Sequence, residues 1–170
     1  MGSDPVARAF EELVAELYWA EDLREAEERL EEFIRGMDED LRELLLERRK
    51  RICSNPELVS RAGAALQGLE PSTLKSLPGD LGVKASVIAA LVNALFLVQC
   101  TPTWSRMDPD SKARILAPLY RASYALRLAS RGGGDIAALI EEAVDMASIA
   151  LDRISRAGLL EEMEALASSR

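Results

Sequence analysis

The sequence predicts an all-α protein: an irregular helical bundle of six to eight helices around a central apolar helix at residues 83–100. Three observations predict it. Ala and Leu supply most of the apolar mass while aromatics make up 5% of the chain, a balance that favours helix over sheet. Apolar residues recur at three- and four-residue intervals along most of the sequence, and no stretch shows a persuasive strand alternation. The run Val83–Cys100, VKASVIAALVNALFLVQC, contains no Pro or Gly, and only Lys84, Ser86, Asn93 and Gln99 are clearly polar in it.

At 170 residues with 48% hydrophobic side chains, the chain is long and apolar enough for a core of its own. It reads as one domain, 1–170, with an acidic N-terminal helical arm (1–53) and a bundle core (56–170). Asp4-Pro5 is a helix start, because Asp caps and Pro is tolerated in the first turn. Phe10, Leu13, Val14 and Leu17 share a face. The phase slips at Trp19–Asp22, where Asp22 and Glu25 resemble a capping box. Leu23, Ala26, Leu30, Phe33 and Ile34 form the next face, and Gly36 with Asp38 suggests another interruption. Leu41, Leu44, Leu45 and Ile52 continue the pattern into the basic cluster Arg48–Arg51. Asn55-Pro56 restarts a short helix that ends near Gly68, and 70–82 reads as loop with at most one helical turn.

In the central run, Val83, Val87, Leu91, Leu95 and Val98 form a stripe that Ile88, Val92 and Phe96 widen. Its length is borderline for a bilayer, and Lys84, Asn93 and Gln99 would be costly there. The expectation is a core helix and no membrane. Asp108-Pro109 opens a helix that Pro118 should kink. Gly132–Gly134 breaks it, Asp135 caps the next helix, Gly158 ends that one, and 159–170 is a short amphipathic helix.

The function classes narrow mainly by exclusion. The chain has no His, which removes Ser-His and Cys-His nucleophiles, the usual zinc sets and Glu-x-x-His di-iron sites. No phosphate-binding glycine motif occurs, and Gly132–Gly134 lacks a preceding strand and a lysine. Acid pairs one turn apart, Glu142/Asp145 beside Glu141, Glu25/Glu28 and Glu28/Glu31, echo the paired acidic motifs of all-helical nucleotide pyrophosphatases, but nothing around them matches further. Acids so spaced are also what any solvated helix shows. The expectation is therefore no enzyme, no metal and no cofactor, with an acid-only Mg-dependent nucleotide hydrolase as the third reading.

The net charge of −8 argues against a generally basic nucleic-acid binder. The charge is uneven: residues 71–134 hold 8 bases and 3 acids. Arg48, Arg49, Lys50, Arg51, Trp104, Arg106, Arg114 and Arg121 are the candidate phosphate contacts of a second reading, a small helical subunit of a nucleic-acid-processing complex. Small subunits of CRISPR effector complexes are comparable in size and class alone. The first reading is a non-enzymatic protein-interaction or assembly subunit, self-associating, with Phe10, Tyr18, Trp19 and Phe33 as aromatic interface anchors. The polar start of the chain carries no targeting pattern, so a cytoplasmic location is expected. Cys53 and Cys100 are then expected as free, buried thiols, with a bridge between them reserved for a hyperthermophile source.

Overall fold

The computed structural model describes residues 4–168. Nine α-helices occur among them: α1 (Pro5–Tyr18), α2 (Leu23–Gly36), α3 (Glu39–Cys53), α4 (Pro56–Leu66), α5 (Pro71–Lys75), α6 (Leu81–Phe96), α7 (Pro109–Ser130), α8 (Ile136–Arg156) and α9 (Leu159–Ser168). Short 3-10 turns, Leu97–Cys100 and Trp104–Arg106, join α6 to α7. The all-α bundle is as the sequence predicts. The count exceeds six to eight because both breaks in the N-terminal arm are real and 71–75 closes a helical turn. Arg170, the expected end of the last helix, lies outside the described residues.

Local chemistry sets the boundaries. The side chains of Asp4, Asp22, Asp38, Asn55, Asp80, Asp108 and Asp135 each accept a backbone N–H from the first turn of the helix that follows, satisfying donors that a helix start leaves open. Glu25 reaches back to the Glu21 N–H, a variant of the expected capping box. At the end of α7, Gly132 takes φ +68°. The Gly133 N–H then donates to the Leu128 carbonyl at 2.8 Å, and the Gly132 N–H to the Ala129 carbonyl at 3.3 Å. This closes a Schellman motif, which needs the left-handed conformation that glycine adopts freely.

The core is organised around α7. It packs against α8, α2, α1 and α6 and buries Ala113, Ile115, Leu116, Ala117, Pro118, Leu119, Ala122 and Ala125. Its small residues let neighbouring helices approach closely. Pro118 lies inside α7 and has no N–H to give to the Arg114 carbonyl four residues earlier. That carbonyl accepts instead from Arg153 Nη1 on α8 at 2.7 Å, and Arg153 also pairs with Glu27 on α2. One guanidinium therefore ties three helices together at the point where proline breaks the ladder.

The position expected for 83–100 is revised. The α-helix ends at Phe96, and it lies on one side of the bundle rather than at its centre. Ile88, Val92, Ala94 and Leu95 enter the core, where α6 meets α4, α7 and α8. The expected stripe divides: Leu95 is 0% exposed, but Val83 is 50% and Val87 is 37% exposed. With almost every position apolar, periodicity could not tell which face turned inward.

The cysteines are also revised. Cys53 and Cys100 form a disulfide, with Cα atoms 5.4 Å apart. It fixes the C-terminal end of α3 to the 3-10 turn after α6. The bridge replaces the packing α3 lacks, since no α3 residue is buried. Within the 1–53 arm, α1 and α2 pack on α7, and α3 meets the 3-10 turn at Leu97–Cys100 and α4.

Candidate functional site

A cavity of about 670 Å³ lies under α3. One face of α3, Arg42, Leu45, Leu46 and Arg49, covers it, since positions i, i+3, i+4 and i+7 share a helix side. Phe10 of α1, Leu30, Phe33 and Ile34 of α2, Trp104, and Leu116 and Tyr120 of α7 complete its apolar wall. Phe10 meets Phe33 edge-on at 6.1 Å and Tyr120 at 6.4 Å between ring centroids. Trp104 is 2% exposed, and Lys112 Nζ stands 5.8 Å from its ring centroid, a cation–π distance.

The wall's charges are all of one sign. Among the described residues, Arg35, Arg42, Arg49 and Lys112 line it, and no carboxylate does. Arg35 is paired with Glu31 at 2.7 Å, and Arg42 donates to the Met37 carbonyl at 3.3 Å. Burial first, and repulsion from Arg49 second, hold the Lys112 ammonium below the usual lysine range. Burial pushes the Tyr120 hydroxyl up to about 12, as for any group whose charged form loses water.

The structure brings Phe10, Phe33, Trp104 and Arg49 together at this cavity and scatters the remaining candidates. Tyr18 is buried, and its hydroxyl donates to Glu142 Oε2 at 3.0 Å. Trp19 is 69% exposed, beside Tyr18 and Tyr124. Arg48 pairs with Asp4, the cap of α1. Arg114 pairs with Asp110 at 3.4 Å. Arg121 points inward, donating to the carbonyls of Leu17 at 2.9 Å and Asp22 at 3.3 Å, so it closes the end of α1 where the sequence pattern slipped. Lys50, Arg51 and Arg106 remain exposed. Four of the paired acids have partners of their own: Glu25 with Arg29, Glu28 with Arg24, Glu31 with Arg35, and Glu142 with Tyr18. Among the described residues, no three His, Cys, Asp or Glu side chains cluster as a metal site would require.

Two features escaped the sequence reading. Lys112 and Tyr120 come to the cavity from α7 and Gln99 from the 3-10 turn after α6, although the Arg42/Leu45/Leu46/Arg49 spacing on α3 was visible. The second feature is the outer face of α6, where Val83, Ser86, Val87 and Ala90 are exposed in one stripe; Leu81, also exposed, lies about half a turn round the helix start from it. Beside Leu81 opens a groove of about 320 Å³, lined by Leu74, Leu77, Ile140 and Val144. The segment Leu81–Cys100 has a mean hydropathy of 2.1 and the length to cross a membrane, but its inner face is part of the core. Comparison with known proteins finds no matching family model, no matching curated protein and no matching solved structure.

Proposed function

We propose that this protein is a non-catalytic assembly subunit that self-associates through the outer face of α6. The observation that supports it is the stripe Val83–Val87–Ala90, an apolar helix face left in water. Contiguous exposed apolar surface of this kind marks interaction sites. A second copy is the occupant its chemistry fits. Lys84 is the one charged residue between Leu81 and Cys100, so two such faces meet without like-charge conflict. A two-fold contact uses the same patch twice. Ala and Ser flanking the valines allow close helix approach. A lipid surface fits less well, because the net charge of −8 and the lack of a basic cluster on α6 oppose attraction to anionic headgroups. Nucleic acid fits less well because Arg48, Arg114 and Arg121 are committed within the chain. In a cytoplasmic protein the Cys53–Cys100 bridge fits the disulfide-rich setting of a hyperthermophile.

Light scattering on the size-exclusion peak tests this reading. The expected mass is a dimer of the 18.6 kDa chain, and a Val83→Glu/Val87→Glu double variant should elute as a monomer with an unchanged melting temperature. A wild-type monomer at high micromolar concentration refutes self-association. Flotation with anionic vesicles, or co-eluting nucleic acid stripped by salt, would favour the competing partners.

A further inference from the structure

We propose that the cavity beneath α3 binds a small amphipathic carboxylate, an alkyl or aryl body with one anionic head held by Arg49 and Lys112. Its volume of about 670 Å³ falls in the range of small-molecule sites, which are concave, mostly apolar and equipped with a few polar groups. Protein interiors are otherwise packed to crystal-like density. The space between α3 and the bundle is instead open to water on one side, and a guest with an apolar body would displace that water from an apolar wall.

Charge identifies the guest's head. The chain carries 29 acids against 21 bases, yet four bases and no acid line this wall. Arg35 and Arg42 are engaged as described above. Arg49 and Lys112 have neither an ion pair nor a hydrogen bond among the described residues, and the Tyr120 hydroxyl likewise has none. Two cations held near each other without a counter-ion are unfavourable until an anion arrives. A guanidinium offers a fork and an ammonium a point donor, and together they match the two oxygens of a carboxylate. Phosphate adds a third oxygen and further charge, which would have to be met by Arg42, now held by the neutral Met37 carbonyl.

Charge-neutral contacts identify the body. Phe10, Phe33, Leu45, Leu116 and the Trp104 ring surround the space, so the chain or ring system would leave water as the head is bound. Entry is along α3, which buries no residue and is anchored at its C-terminal end by the Cys53–Cys100 bridge and the Arg48–Asp4 pair.

The test uses the full chain with Trp19→Phe, so that Trp104 on the cavity wall is the remaining tryptophan of two. Dodecanoate is titrated against Trp104 emission, with dodecanol as the uncharged control and dodecyl phosphate as the alternative head. Saturable one-site binding is expected, with dodecanoate about tenfold tighter than dodecanol, as a charge-assisted pair confers. Arg49→Met with Lys112→Met should erase that preference while retaining dodecanol binding. Leu45→Trp, read by calorimetry, should block both by filling the space, with the circular dichroism melt showing the fold intact. Absence of saturable binding overturns the site. Equal affinity for dodecanoate and dodecanol, or a preference that survives in the double variant, overturns the head assignment. Tighter binding of dodecyl phosphate overturns the choice of carboxylate.

Discussion

Arg153→Met should destabilise the protein by about 2–3 kcal/mol, and Pro118 is the reason. In an ordinary helix the Arg114 carbonyl would accept from the N–H of residue 118. Proline has none, so the acceptor is served by Arg153 Nη1 at 2.7 Å. A hydrogen bond from a charged group contributes about 1.5–3 kcal/mol. The Arg153 side chain is 33% exposed, which places this bond toward the lower end. Methionine keeps the aliphatic stem but also leaves Glu27, 17% exposed, without its partner, which adds up to about 1 kcal/mol. For a chain of this size the sum corresponds to a fall of about 5–10 °C in melting temperature. Urea titration of the single variants and of Arg153→Met/Pro118→Ala gives a double-mutant cycle. With Ala at 118 the helix supplies its own donor, so the Arg153 penalty should shrink by about 1 kcal/mol. A total penalty under about 1 kcal/mol, or the same penalty with Pro and Ala at 118, would refute the reasoning.

Four further outcomes are expected. Tyr18 and Tyr120 are both raised to about 12, each chiefly by burial and Tyr18 also by its bond to Glu142. Unfolding returns them to about 10, so their stabilisation is complete below pH 10 and is lost as pH rises from 10 to 12. The unfolding free energy from urea titration should fall across that range by up to about 1.4 kcal/mol per pH unit for each tyrosine, and Tyr18→Phe should flatten the decline. Cys53→Ser/Cys100→Ser opens a loop with sequence separation 47, for which chain entropy gives at most about 4 kcal/mol; thiol titration of denatured wild type should find no free thiol, and hydrogen exchange in the variant should rise first in α3. Gly63→Ala should destabilise by about 1–3 kcal/mol despite alanine's helix propensity, because its Cβ would lie 2.6 Å from both the Met163 carbonyl oxygen and Ala167 Cβ on α9; an unchanged melting temperature would contradict that crossing. Leu95→Ala should cost about 2–5 kcal/mol and Val83→Ala under about 0.5, so equal costs would contradict the orientation of α6.

Much of the helix grammar was legible because it depends on neighbours a few residues apart. Asp-Pro at 4–5 and 108–109, Asn-Pro at 55–56 and Asp135 each cap the helix they announce, and Gly132–Gly134 ends α7 as expected. The slip at Trp19–Asp22 was visible too, but its partner Arg121 lies about a hundred residues away and read instead as a phosphate ligand. The candidate site was half legible. Phe10, Phe33, Trp104 and Arg49 were singled out for other reasons, while Lys112 and Tyr120 were not, since no local pattern marks residues that converge only after α1, α2, α3 and α7 assemble.

The sequence by itself determined the all-helical class, most helix ends and the absence of histidine chemistry, because propensity, capping and composition act locally. Tertiary structure decided which helix is central, which face of α6 meets water and that Cys53 bonds Cys100. It also decided that four cations surround an apolar cavity in an acidic chain. Those outcomes depend on distances between segments remote in sequence. An all-apolar helix such as α6 fits the bundle by many faces in its local pattern, and only the shape of its neighbours selects one.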